Sequence, residues 1–292
     1  MLRQVGFLPW YPPGLVCTHP HPRPPRPEMG ILSRLPPEII ALIVGHLRGD
    51  RAALRTCALV SHGLLPWSRA HLFGRITLWN SRLLYRGGNT ITVGNTTAMR
   101  THISSDPDDV LSYTRNLSIF LGPSVQPRHL EEISEHLMAF KNVRELEARL
   151  FATHFVEEDF TLLSRYFSHF RPTLRRLHLD TSLKNPKDLI TFIAFFPLLE
   201  EVSIDKLFLS VPSLPTSKSE GFDPAPLSPL KGSLRLSQFQ HENDFAVELS
   251  KVRIQYHTLS ICNATVWTGV QELIFACAPT LRVLNIMREA CE

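Results

Sequence analysis

His178 lies between Arg176 and Asp180 at alternate positions of Arg176-Leu177-His178-Leu179-Asp180. In an extended strand all three polar side chains point to one face, while the leucines point to the other. An imidazole flanked by a carboxylate and a guanidinium is the combination that acid–base chemistry uses. The same alternation aligns Glu145, Glu147 and Arg149 on a second strand, and Glu201, Ser203 and Asp205 on a third. Later strands offer Thr258, Ser260, Val283, Asn285 and Met287. Adjacent strands bring such rows to within ~5 Å of one another. The default for any one of these residues is a solvated strand face. Together the nine on the first three strands make a mixed-charge patch suited to recognising a protein, because charge complementarity selects partners.

Other chemistry is hard to place in this chain. It has no phosphate-binding glycine loop, no GxSxG elbow and no HExxH pair. Its five cysteines (17, 57, 262, 277 and 291) are widely spaced with no CxxC, which disfavours a disulfide framework or structural zinc and favours a reducing compartment. Cys17, His19 and His21 lie in a proline-interrupted stretch and make a poor metal site. No catalytic residue, cofactor or metal ion is expected. No apolar run approaches the ~18 residues of a membrane span. The first 17 residues are broken by Pro9, Pro12 and Pro13, so no signal peptide is expected. The Asn95, Asn116 and Asn263 sequons are then coincidental, and the expected location is cytoplasmic, nuclear or both.

The strands that carry these rows belong to a repeat. Leu174-x-x-Leu177-x-Leu179, Leu199-x-x-Val202-x-Ile204 and Leu281-x-x-Leu284-x-Ile286 share one form, and weaker copies centre on Leu117, Leu146, Leu234 and Leu259. Helical patterns fill the gaps at 130–139, 157–170, 187–196, 244–249 and 266–277. Leu78 and Ile91-Thr92-Val93 begin the array, followed by a helix over 99–111. A strand and a helix every 25–32 residues cannot bury their apolar sides alone. Stacking them gives a curved α/β solenoid over 75–292, with strands lining one face. Residues 210–229 read as a loop insertion, and no polar cap follows the last strand.

The N-terminal part reads differently. Residues 1–30 hold the nine-residue stretch His19-Pro20-His21-Pro22-Arg23-Pro24-Pro25-Arg26-Pro27 and read as an extended, disordered leader; Met29 is an alternative start. Residues 31–74 then read as three short helices. Pro36 and Pro37 occupy a helix start, where the missing N–H costs nothing, and Glu38 sits at the positive end of the dipole. Ile39, Ile43 and Leu47, with Ile40 and Val44 beside them, form an apolar face. Gly49-Asp50 stops this helix, and Asp50 caps the next, on which Leu54, Cys57 and Ala58 share a side. Leu64-Leu65, Trp67 and Leu72-Phe73 supply a third cluster. So small a unit buries little, and its apolar stripe reads as a docking face.

The blocks Leu35-Pro36-Pro37-Glu38-Ile39-Ile40, Leu54 with Cys57-Ala58-Leu59-Val60-Ser61, and Ala70-His71-Leu72-Phe73 resemble an F-box of the fungal, basidiomycete type that precedes degenerate leucine-rich repeats. One departure is Leu64, where relatives usually carry tryptophan. The resemblance implies a substrate-recognition subunit of a Skp–cullin–F-box ubiquitin ligase. It docks a Skp-type adaptor, and through it a cullin, by Leu35, Pro36, Ile39, Leu54, Cys57, Val60 and Leu64. The repeats then hold a target protein, and the chain performs no bond chemistry. The alternative is an F-box/repeat scaffold without a ligase role.

Charge agrees with a protein partner. The formal net charge is only +4 over 292 residues, with 43% hydrophobic and 20% charged residues. Six arginines face Glu38 and Asp50 between residues 30 and 79, so the basic excess is local to the helical unit. No basic run is dense enough for nucleic acid. A basic helical unit suits an acidic adaptor.

Overall fold

The computed structural model describes residues 35–80, 91–93, 110–121, 134, 137–150, 159–183, 186–209, 229–237, 243–263 and 268–287. The leader 1–30 and residues 210–228 lie outside these, as do all or most of the helices read over 99–111 and 130–139. Of the former, a 3-10 turn at Val110–Tyr113 is described.

Three short helices come first: α1 (Pro37–His46), α2 (Arg51–Val60) and α3 (Leu65–Phe73). Pro36 is the N-cap residue of α1, with Pro37 at its first position and Glu38 in its first turn. Asp50 caps α2, its carboxylate accepting from the Ala53 N–H at 3.0 Å. Ile40, Val44, Leu54, Leu64 and Leu72 form the interior of this unit, with Leu35, Leu47, Cys57, Trp67 and Phe73 packed against it.

The strands follow: β1 (Arg75–Asn80), β2 (Ile91–Val93), β3 (Asn116–Leu121), β4 (Glu145–Leu150), β5 (Arg176–Leu183), β6 (Glu201–Leu209), β7 (Leu230–Ser237), β8 (Ile254–Cys262) and β9 (Val283–Met287). They form one open, all-parallel sheet in the order β2-β1-β3-β4-β5-β6-β7-β8-β9. The alternating repeat accounts for this register. Ile76, Leu117, Leu146, Leu177, Val202, Leu234, Leu259 and Leu284 are successive lateral partners, and so are Leu78, Ile119, Ala148, Leu179, Ile204, Leu236, Ile261 and Ile286. Both columns are buried as far as β8.

Helices α4 (Asp159–Tyr166), α5 (Pro186–Ala194), α6 (Asn243–Ser250) and α7 (Thr268–Cys277) share one core with those columns. Pro186, at the start of α5, is in a position that tolerates proline. Aromatic rings join neighbouring units: Phe167 meets Phe170 and Phe192 at 6.2 Å between centroids, and Phe192 meets Phe196 edge-on at 5.3 Å. A strand that buries only alternate residues needs a helix on just that side, and the other face of the sheet is left without one among the described residues.

The sheet departs from simple sequential stacking in two places. The strand at Ile91–Val93 does not follow β1 in the stack but pairs on its outer edge, Ile76 facing Ile91. The inner edge of β1 belongs to β3, because the Gly74 carbonyl at the start of β1 accepts from both Arg115 and Asn116 at 3.0 Å. That same turn bond recurs along the sheet, from Arg144 to Arg115, Arg175 to Arg144 and Glu200 to Arg175, at 2.7–2.8 Å. β7 is also irregular. Its register slips between Gly232 and Ser233, where Gly232 adopts φ +100°. No described helix is long and apolar enough to cross a membrane.

Candidate functional site

On the helical unit, the interior can be separated from the exposed surface. Leu54 is 1% exposed and Leu64 8%. Both were expected to dock a partner, but their burial assigns them to holding the helices together. Leu35 and Cys57 are half-buried, and Pro36 is exposed. Of the expected docking residues, Ile39 and Val60 stand clear, at 42% and 69% exposed. The structure adds Leu42, Ile43 and Leu59, at 62%, 46% and 86%. Ile39, Leu42 and Ile43 share one side of α1 by their spacing, opposite Ile40 and Val44. Leu59 and Val60 end α2. Leu42 had a signal in the sequence: Ile39-Ile40-Ala41-Leu42-Ile43-Val44 is apolar all round, more than one buried face requires.

On the sheet, the expected polar residues fall into register on the helix-free face. Glu145, Arg176 and Glu201 are lateral partners; so are Glu147, His178 and Ser203, and so are Arg149, Asp180 and Asp205. Ion pairs and hydrogen bonds cross the strands between them. Arg176 donates to Glu145 at 2.6 Å and lies 3.6 Å from Glu201. Ser118 donates to Glu147 at 2.8 Å, and Arg149 reaches the same carboxylate at 2.9 Å while its guanidinium lies 4.9 Å from the Phe120 ring centroid. His178 and Asp205 are 3.2 Å apart. Asn116 donates to Glu145, extending the ladder to β3. Exposed pairs of this kind contribute only ~0–1 kcal/mol each, so they orient side chains more than they stabilise the fold.

The face is less open than alternation alone implies. Asp180 and Ser203 are buried, at 7% and 9% exposed. A partner would meet mainly Glu145, Glu147, Arg149, Arg176, His178, Glu201 and Asp205. Sequence reasoning missed Asn116 and Ser118, which share the first two rows. Their register with Glu145 and Glu147 depends on the turn bonds before each strand.

His178, Ser203 and Asp205 are the residue types of a nucleophilic triad, and His178 is the lateral partner of Ser203. The imidazole pairs with Asp205, but no hydrogen bond joins it to Ser203. The strand N–H groups are committed to the sheet ladder, so no paired backbone donors are offered to an oxyanion. The arrangement therefore lacks the nucleophile–base hydrogen bond and the oxyanion donors of such a triad. Cys277 is fully buried and its thiol is pushed up to about 11 by desolvation, which keeps it protonated and unreactive near neutrality. Among the described residues no cluster of His, Cys, Asp or Glu could hold a metal ion.

Compared with protein-family models and with curated proteins, the chain matches none.

Proposed function

We propose that this chain is a substrate-recognition subunit of a Skp–cullin–F-box ubiquitin ligase, acting in the cytoplasm, the nucleus or both. In this reading α1–α3 form the F-box that docks a Skp-type adaptor, and through it a cullin. The strand–helix repeats form a leucine-rich-repeat-like solenoid whose helix-free face holds the target. The chain itself makes and breaks no bond; it raises the effective concentration of a target lysine near a charged conjugating enzyme.

The observation that carries the proposal is the set Ile39, Leu42, Ile43, Leu59 and Val60. These are large apolar side chains, 42–86% exposed, on a unit whose interior is complete without them. Large apolar side chains left exposed on so small a unit, three of them on one side of α1, support an interaction site. The departure from the F-box pattern at Leu64 falls in the interior, so it alters packing within the unit rather than the exposed apolar set.

Adaptor capture by purified protein tests the reading. Wild type is expected to retain a Skp-type adaptor, and Leu42→Asp/Leu59→Asp is expected to lose it with an unchanged melting temperature. Failure of the wild type to retain the adaptor overturns the proposal. Capture without ubiquitin transfer to any bound target in a reconstituted ligase would instead identify a scaffold.

A further inference from the structure

The helix-free face of the sheet divides into two parts of different character. On β4–β6 its charges are matched within the face: Arg176 with Glu145 and Glu201, Arg149 with Glu147, and His178 with Asp205. Both carboxylates of β6, Glu201 and Asp205, thus reach toward β5 rather than β7. On β7 the exposed Arg235 stands in the same row as His178, lateral partner of Ser203 on β6 and Ser260 on β8. Two residues to either side on its own strand, on the same face, are Ser233 and Ser237. Arg235 joins no ion pair among the described residues. One row further along, the Ser237 hydroxyl and Asp205 Oδ1 are buried with no hydrogen-bond partner among the described residues, and these two residues are themselves lateral partners. Ser237 is 9% exposed. Buried polar atoms nearly always have partners, so two orphans side by side on a polar face point to a ligand.

We infer that an extended target segment crosses β6–β8 and seats one carboxylate, from an aspartate or glutamate, on Arg235. The inference rests on the reading of the helix-free face as the target-holding surface and deepens it, but it requires no adaptor. An acid approaching Arg149 or Arg176 has to displace a carboxylate already paired there, and little is gained by the exchange. At Arg235 it meets an unpaired guanidinium among neutral hydroxyls, and the new pair displaces only solvent. The planar fork of the guanidinium takes both oxygens of a carboxylate.

The surroundings define the ligand further. Ser260 accepts from Asn285 at 3.2 Å, which leaves its O–H to donate toward the same carboxylate. One guanidinium matches one negative charge, and Asp205 on the next row opposes a second, which favours a carboxylate over a phosphate dianion. Asp205 Oδ1 accepts an N–H of the same segment, one row (~7 Å) from the acid along the strand direction.

Random linear peptides of about twelve residues, long enough to cross three strands ~5 Å apart, provide the probe. They are selected on the immobilised full chain and counter-selected on Arg235→Glu. Recovered peptides are expected to share an aspartate or glutamate. Replacing that acid by its amide is expected to weaken binding to wild type about tenfold in fluorescence polarisation (about 1.4 kcal/mol). Arg235→Gln, which removes the charge and adds none, is expected to lose the same factor for the acidic peptide and nothing for the amide. A disturbed fold would weaken both peptides. Arg253→Glu makes the same charge change at another exposed arginine and is expected to bind as wild type does. The inference is overturned if no peptide distinguishes wild type from Arg235→Glu, or if those recovered share no acid. Equal loss in Arg253→Glu, or an Arg235→Gln loss that the amide peptide shares, overturns it too. Tighter binding when phosphoserine replaces the acid would assign the site to phosphate and overturn the carboxylate. None of these measurements involves an adaptor, so adaptor capture by the same protein reports separately on the ligase reading.

Discussion

Replacing Gly232 by alanine should destabilise the sheet through a backbone effect that no side-chain contact reveals. At φ +100° the residue lies in a region that L side chains rarely adopt, and a Cβ there would lie 2.7 Å from the Glu200 carbonyl carbon and even closer to its oxygen. That carbonyl already accepts from Ser233 at 2.8 Å, the bond that seats β7 against β6 across the bulge. Holding alanine at such a φ costs ~1–3 kcal/mol. Relieving the clash moves β7 away from β6 and weakens that hydrogen bond, for a further ~1 kcal/mol. The expected loss is therefore about 2–4 kcal/mol, a large share of the ~5–15 kcal/mol of an ordinary domain. The melting temperature should fall by roughly 5–15 °C on the usual size scaling. Urea and thermal unfolding followed by circular dichroism measure this directly. Gly49→Ala is the control, since a Cβ there meets nothing within 4 Å. It should stay within about 0.5 kcal/mol of wild type, as surface changes do. If Gly232→Ala behaved like Gly49→Ala, the bulge and the positive φ would both be wrong.

Two further predictions concern buried polar groups. Tyr256 is fully buried and its hydroxyl has no hydrogen-bond partner, while burial raises its pKa and keeps it protonated. Tyr256→Phe should therefore be neutral or stabilise by up to ~1 kcal/mol in urea unfolding, and a loss above that would mean the hydroxyl has a partner. His169 has its pKa lowered, chiefly by desolvation and partly offset by backbone carbonyls of Tyr166 and Leu137. Below pH ~6.5 the unfolded chain takes up a proton that the folded state refuses, so stability should fall from that pH down to the folded pKa. His169→Gln should reduce that slope between pH ~7.5 and ~5.5 without abolishing it, because His71 is lowered in the same direction by burial and by Arg48 and Arg115. An identical slope in the variant would refute the assignment.

The parts of the fold that follow from period-two alternation were legible in the sequence. Leu177-x-Leu179 and Val202-x-Ile204 each declare one buried face, and a one-residue slip would expose both residues, so register follows from composition. Hence Glu145, Arg176 and Glu201 could be placed side by side before any coordinates. What alternation cannot give is the order of strands without such a pair of columns. Ile91–Val93 is three residues long, and its place outside β1 is set by which edge the Gly74 carbonyl leaves for β3. The helical unit was legible at its caps, Pro37 and Asp50, because capping is local. The division of its leucines was not. In α1, apolar residues surround the axis, so periodicity cannot say which belong to the interior, and only the packing of α3 selects Ile40 and Val44 over Ile39 and Ile43. Burial of Asp180 and Ser203 was equally invisible, since both sit at formally outward positions.

The joint between the helical unit and the sheet bears on how a target would be held. α3 ends at Phe73 and β1 starts at Arg75, leaving Gly74 alone between them. A Cβ at Gly74 would run into the Ala70 carbonyl, so the turn is tight enough to require glycine. The fully buried Thr114 donates its hydroxyl to the Phe73 carbonyl at 3.0 Å, and Arg115 and Asn116 donate to the Gly74 carbonyl. The last carbonyls at this joint are thus satisfied by the segment that enters β3, not by water. Bending the joint would break these three bonds together and expose Thr114, at ~0.5–1.5 kcal/mol for each bond. A flexible tether would lack such bonds, and its reach would grow with its length. Here the first strand is fixed to the last helix within one residue. Under the proposed function, an adaptor on α1–α3 and a target at Glu145, Arg176 and Glu201 would therefore be held at a set separation and orientation. A proximity mechanism depends on that geometry, because effective concentration falls as the reacting groups wander.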